Sequence, residues 1–204
     1  MTSFTILTFV TSQILSNASA FTHSTLKPSS SHATLVAAKS SQQKAIIQAL
    51  PKRTGLKVRT SGRVPHVQTN VTPNLAINKK LFQLAFSLPN VEKHASIASL
   101  PGASGIWLKE KVPVRLPRAI LAGREFAHLH SDGSLHLPLP YQRALEVAEK
   151  GWGERHPWAE QRSGWDGLVM IFTPLTESEL DIVFQLIIES YNHVTGLAVK
   201  ASEL

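Results

Sequence analysis

The stretch Gly123–Leu139, "GREFAHLHSDGSLHLPL", decides the fold. Two runs that alternate apolar and polar residues, Glu125–His130 and Leu135–Leu139, flank Ser131-Asp132-Gly133-Ser134. Alternation at period two is the pattern of a half-buried strand. An Asp-Gly pair between two such runs marks a tight hairpin. Three of the nine histidines, His128, His130 and His136, fall inside it. His128 and His130 are two apart and share one face of their strand. The place of His136 depends on register. A two-residue loop, Asp132-Gly133, pairs His128 with Leu137 and turns His136 away. A three-residue loop, Ser131 to Gly133, sets His136 directly opposite His128. A slip of one residue moves the whole set to the other face, and the sequence leaves both registers open.

Working outward from the hairpin, "QQKAIIQALPKRTG" from Gln42 predicts a short helix stopped by Pro51. The stretch "LKVRTSGRVPHVQTNVTPN" is basic and rich in turn formers, and predicts an extended arm or loop. Lys52, Arg53, Lys57, Arg59 and Arg63 read as a solvated basic arm. Leu75 to Leu88 predicts a helix, with Leu81, Leu84, Ala85 and Leu88 at helical spacing and Pro89-Asn90 ending it. Val91–Ser99 is less defined and can begin a strand. Ile106–Glu110 alternates and predicts a strand. Beyond the hairpin, residues 141–150 predict a helix after Pro140, with Gly151 at its end. "GWGERHPWAEQRSGWDG" reads as a loop holding three of the four tryptophans. Leu168–Phe172, "LVMIF", is the continuous apolar run of a strand covered on both faces. Thr176 and Glu179 form a capping-box pattern for a last helix, whose Leu180, Val183, Phe184, Ile187, Tyr191 and Val194 share one side. This order predicts an α+β fold: a single, mostly antiparallel sheet covered by helices, with a histidine-containing β-hairpin.

The 204 residues are 43% hydrophobic and 17% charged, the balance of a globular protein. With no cysteine, disulfides, thiolate nucleophiles and cysteine-held metal centres are excluded. No run of 18 or more apolar residues predicts a transmembrane segment in the mature chain. The net charge of +7 is unevenly spread. Residues 1–91 hold ten Lys and Arg and no acid, whereas residues 92–204 hold eleven bases and all fourteen acids. Charge confined to one end argues against nucleic-acid binding and for targeting. Phe4–Leu15 is a short apolar run followed by Ala18-Ser19-Ala20, the small residues a signal peptidase needs. Residues 21–44 are rich in Ser, Thr, Ala and Lys without acids, as in a transit peptide. Joined through "ASA-F" at Phe21, the two segments resemble the bipartite plastid leaders of algae with secondary plastids, such as diatoms. The expected organisation is a signal-like segment at 1–20, a transit-like segment at 21–44 and an α+β domain at 45–204. The expected address is the plastid, with secretion as the alternative.

The chemistry-bearing residues cluster in the second half. His-x-His with a third His on the neighbouring strand can hold a divalent metal, which makes His128, His130 and His136 candidate ligands. Without a metal they are candidate acid-base groups, together with His156. Glu125 is a candidate base that alternation places on the face opposite His128 and His130. Trp152, Trp158 and Trp165 can wall a pocket for a planar ligand. P-loop, dinucleotide-binding and hydrolase-elbow patterns are absent from the sequence.

"GREFAHLHSDGSLHLPLP", "KGWGERHPWA" and "LVMIFTPLTESEL" together resemble the luciferase-like domain family, named for a sponge luciferase. "LPKRTG", "VPHVQTN" and "PGASGIWL" fit its N-terminal half, so the likeness covers about residues 50–195. The resemblance implies oxygen-dependent oxidation of a small aromatic substrate. It marks Glu125, His128, His130, His136, Gly153, Glu154 and His156 as the residues matching the family's motif. The expected ligand is a small aromatic or lipid-like molecule, either turned over or, as in a pigment-binding protein, only held; the remaining alternative is a structural plastid protein whose histidines only hold the hairpin. The cofactor is unknown: none, or one histidine-bound divalent metal.

Overall fold

The computed structural model describes residues 49–204; the leader segments and most of the helix expected before Pro51 lie outside these residues. Six strands and three α-helices follow one another: α1 (Leu75–Ala85), β1 (Val91–Ala95), β2 (Ser104–Leu108), β3 (Glu125–Leu129), β4 (Leu135–Pro138), α2 (Tyr141–Glu149), β5 (Gly153–Arg155), β6 (Leu168–Ile171) and α3 (Glu177–Thr195). The strands form one sheet in the order β1-β2-β3-β4-β6-β5, with every neighbouring pair antiparallel. The fold is α+β, as the element order predicts. Among the described residues no helix is long and apolar enough to cross a membrane.

The helices form for local reasons. The Asn74 side chain caps α1 by accepting from the N–H groups of Ala76 and Ile77. The helix ends three residues before the expected Leu88, because Phe86 closes it and Ser87 turns back onto the Leu84 carbonyl. Thr176 caps α3 by accepting from the Glu179 N–H, and Gly196 ends it with φ +76. Only half of the capping box forms. The Glu179 carboxylate turns instead to Arg53 and to the N–H of Leu175. Arg53 is therefore not part of a solvated arm: its side chain is 5% exposed and paired with Glu179.

One face of the sheet carries the main core. Ile106, Leu129, Leu135, Leu137, Val169 and Ile171 join Leu81 of α1 and Leu180, Val183 and Ile187 of α3 in one buried cluster. Each such side chain contributes about 1.5–3 kcal/mol on burial. The helix α2 lies against β5 and β6. The opposite face is covered by loops rather than helices, and it carries the histidines. At the sheet's outer edge, most of β1 is exposed, whereas β3, β4 and β6 are buried throughout.

One strand detail differs from the sequence reading, and a second settles a register that the sequence leaves open. The "GWGERHPWA" loop contains a strand, β5, pairing Glu154 with Met170 at the sheet's other edge. The hairpin adopts the three-residue loop, so His128 sits opposite His136 and Leu129 opposite Leu135. Gly133 makes that turn possible: it has φ +84 and donates its N–H to the His130 carbonyl. A Cβ there would come within 2.5 Å of Asn78 Oδ1 and of Thr173 Oγ1.

Candidate functional site

The chosen register makes the loop-covered face a histidine face. His128 and His136 stand side by side on β3 and β4, and Met170 follows on β6. His130, just past β3, joins them, with ring centroids 5.0 Å from His136 and 5.4 Å from His128. The loop after β5 brings His156 to 5.0 Å from His136. His66, from the long segment before α1, lies 5.3 Å from His136 on another side.

Glu125 is on this face, not on the opposite one that simple alternation implies. A β-bulge explains it. Register shifts between Ile106 and Trp107, so Ile106 faces Ala127 while Trp107 faces Glu125, and one residue of β3 is left over. Phe126 then joins the helix-side core, with its ring 6.0 Å from that of Tyr191. The Glu125 carboxylate is fully buried. It lies 3.0 Å from His128 Nδ1 and accepts from Ser96 Oγ at 2.5 Å and from the Ile97 N–H at 2.9 Å. Burial pushes this carboxyl up, but the hydrogen bonds from His128, Ser96 and Ile97 outweigh it and hold it below its ordinary range.

The histidines form a chain of short contacts. His128 Nε2 lies 2.9 Å from His136 Nδ1, and His136 Nε2 lies 3.2 Å from His66 Nδ1. His66 Nε2 is buried without a hydrogen-bond partner, 3.8 Å from the Glu154 carboxylate, which in turn accepts from Thr60 Oγ1. His130 Nδ1 meets Ser134 Oγ at 2.9 Å, and that hydroxyl donates onward to Asp132. His130 Nε2 meets Ser99 Oγ at 3.1 Å. His156 Nδ1 accepts the backbone N–H of Trp158. Burial, then the neighbouring rings, push His130 down to about 4 and His136 well below the ordinary histidine value. Burial likewise takes His156 down to about 4. His66 is lowered by burial, with the Glu154 charge partly offsetting. Such rings stay neutral near pH 7.

These rings floor a cavity of about 500 Å³, the size of a small-molecule site. Its walls are Val64, Pro65, Ile97, Leu100, Leu121 and Leu168, with Trp158 and Trp165. Leu121, Trp165 and Leu168 form a small apolar cluster of their own. The Arg162 guanidinium covers the Trp165 ring at 4.1 Å, and Trp165 Nε1 is buried without a partner. Trp152 is not part of this wall. It is 3% exposed in the main core, donates Nε1–H to the Pro51 carbonyl and lies beside Arg53.

The structure thus brings together Glu125, His128, His130, His136 and His156 with Trp158 and Trp165. Sequence reasoning missed His66, Ser96 and Ser99. His66 and Gln68 are buried on either side of the half-buried Val67, a period-two signal hidden in a basic, turn-rich stretch.

Residues 123–190 match the family model described as Luciferase domain. A luciferase of Armillaria mellea is 30% identical over 168 residues, covering 72% of this chain and 62% of that protein. A luciferase of Neonothopanus nambi is 32% identical over 108 residues, covering 46% of this chain and 39% of that protein. The chain spans 62% of the length of the Armillaria luciferases. No solved structure matches. Over residues 123–190 the chain is thus similar to the luciferase-domain family. The matched segment holds every candidate residue named from the sequence and leaves His66, Ser96 and Ser99 outside it.

Proposed function

We propose that this luciferase-like chain binds a small planar aromatic molecule in the histidine-floored cavity and oxidises it with molecular oxygen. One observation carries the reading. An apolar cavity of about 500 Å³ ends on a buried carboxylate–imidazole pair, Glu125–His128, with aromatic rings at its wall. Apolar walls with a few polar groups on one side suit a flat, mostly hydrophobic ligand. Trp165 Nε1–H, buried without a partner, is a donor for a ligand oxygen.

Glu125 accepts the Nδ1–H of His128, which leaves Nε2 proton-free. A carboxylate behind the ring stabilises the imidazolium formed when His128 takes a substrate proton. The resulting substrate anion passes an electron pair to O2 and a C–O bond forms. The peroxide oxygen then recovers the proton from the imidazolium. The net change is insertion of O2 into a substrate C–H bond as a hydroperoxide, with no outside reductant. A second reading, in which a pigment or lipid-like molecule is held without turnover, is favoured by the same apolar walls. For the address, the Ala18-Ser19-Ala20-Phe21 junction supports delivery to a plastid.

The test is oxygen uptake and photon emission from the full chain with a panel of planar phenols, alongside Glu125→Gln and Trp165→Ala. At least one compound should drive oxygen uptake, with kcat about 100-fold lower in Glu125→Gln. Saturable binding without oxygen uptake across the panel supports the holding reading. Uptake that neither substitution changes overturns the assignment of this cavity.

A further inference from the structure

We propose that His128, His130 and His136 form a three-histidine site for one divalent transition-metal ion, held by His128 Nε2, His130 Nε2 and His136 Nδ1. Glu125 already accepts two other hydrogen bonds as a carboxylate, so His128 Nδ1 donates to it and Nε2 carries a lone pair. Ser134 Oγ spends its hydrogen on Asp132, so it accepts from His130 Nδ1, and His130 Nε2 carries a lone pair whose partner in the metal-free chain, the Ser99 hydroxyl at 3.1 Å, can rotate away, as a backbone N–H cannot. Without a metal, the 2.9 Å contact between His128 Nε2 and His136 Nδ1 requires the proton to sit on His136 Nδ1. His136 Nε2 must then accept from His66 Nδ1, so the neutral His66 ring turns a buried lone pair toward the Glu154 carboxylate. That lone pair is on His66 Nε2, the ring nitrogen that is buried without a hydrogen-bond partner.

A cation on the inward nitrogens removes the conflict. His136 then carries its proton on Nε2 and donates it to His66 Nδ1, and His66 turns Nε2–H toward Glu154. Every ligand has its far nitrogen held by an acceptor: Glu125 for His128, the Ser134–Asp132 pair for His130, and the His66–Glu154 pair for His136. This is the outer shell that metal-bound histidines require. Nitrogens about 2.0–2.1 Å from one metal lie roughly 3.0–3.4 Å apart; one ring nitrogen from each of the three histidines lies within 4.8 Å of the other two, and His128 Nε2 and His136 Nδ1 are 2.9 Å apart. Small ring rotations close the set. Neutral imidazoles select zinc, cobalt, iron or copper over calcium and magnesium.

A second triad, His66, His136 and His156, is comparably close. It is a poorer ligand set, because His156 Nδ1 already accepts the Trp158 N–H. A neutral ring so engaged carries its proton on Nε2 and has no lone pair left to give. The metal site stands apart from the oxidation reading. That reading needs only that a proton leave the substrate in this cavity, taken in the metal-free chain by His128 once its Nε2 exchanges the His136 Nδ1–H for the substrate proton, or eased off by the cation in the loaded one.

The test is titration of the untagged, chelator-stripped full chain with cobalt(II), read by the visible absorption of nitrogen-coordinated cobalt. One equivalent should bind, with intense low-symmetry bands. His130→Ala and His136→Ala should abolish the bands, and His156→Ala should leave them unchanged. Glu125→Gln should weaken binding about 10–100-fold. If a variant does not fold, the wild-type titration alone decides, since it needs no substitution. Absence of saturable binding by the folded wild-type chain overturns the site. Equal loss in His156→Ala, or full retention in a folded His130→Ala, overturns the ligand assignment.

Discussion

Replacing Gly133 by alanine probes the turn that gathers the histidines. Gly133 has φ +84, and a methyl group there would sit 2.5 Å from Asn78 Oδ1 and 2.5 Å from Thr173 Oγ1. Two costs add. A left-handed backbone costs an L-residue about 1–2 kcal/mol. Pressing a methyl into a filled, buried space costs about 1–3 kcal/mol more. The sum, about 2–5 kcal/mol, is a large share of an ordinary domain's stability of about 5–15 kcal/mol. It corresponds to a fall in Tm of roughly 5–20 °C for a domain of this size. Gly102→Ala is the matched control. Its φ is +89, but nothing lies within 4 Å of the added carbon. It should therefore show only the backbone cost, about 1–2 kcal/mol. Urea denaturation at one pH gives both differences. If Gly133→Ala loses no more than Gly102→Ala, the turn is not wedged between Asn78 of α1 and Thr173 just past β6, and packing does not set the register.

Glu179 is held below its ordinary range: burial raises it, but Arg53 and the Leu175 N–H outweigh that. A lowered carboxyl adds stability above its unfolded value and loses it as pH falls through its folded value. Urea midpoints from pH 7 to pH 3 should therefore fall less steeply in Glu179→Gln; an unchanged acid slope refutes the role. Trp152→Phe should lose about 1 kcal/mol with its hydrogen bond to Pro51 and leave ligand binding intact. Trp165→Ala should instead lose binding of an apolar fluorescent dye to the cavity, and identical behaviour of the two variants would put Trp152 back in the pocket wall. Residues 1–44 fused to a fluorescent protein should reach the plastid of a diatom, and Phe21→Ala should prevent import; a fusion found only outside the cell favours secretion.

The last helix was legible because Leu180, Val183, Phe184, Ile187, Tyr191 and Val194 repeat over about four turns, between a capping Thr176 and Gly196. The hairpin was legible too, but its register was not. Two- and three-residue loops differ by one position, and contacts from Asn78 and Thr173, distant in sequence, bear on the choice. The bulge that returns Glu125 to the face of His128 leaves no trace in the alternation of "EFAHL". β5 escaped notice because three residues among glycines and tryptophans are too few to show a period. A tryptophan's identity likewise carries no direction. Trp152 and Trp165 sit in one composition-defined loop, yet one is in the helix-side core and the other lines the cavity.

The strand order also governs where the chain can be cut. The sheet's outermost strand, β1, shows Glu92, Lys93 and His94 to solvent, and charged side chains at an edge discourage pairing with a neighbour's backbone. The other outermost strand, β5, is only three residues long. Both borders are thus poor templates for another molecule. A fragment limited to residues 123–190 would discard β1 and β2 and make β3 a border strand. Its five side chains are buried in the intact sheet, and its backbone would face water with an open ladder. Such a fragment should pair edge to edge and precipitate before it could present its histidines. The charged β1–β2 ribbon acts as the guard that keeps the histidine strand from meeting its own copies.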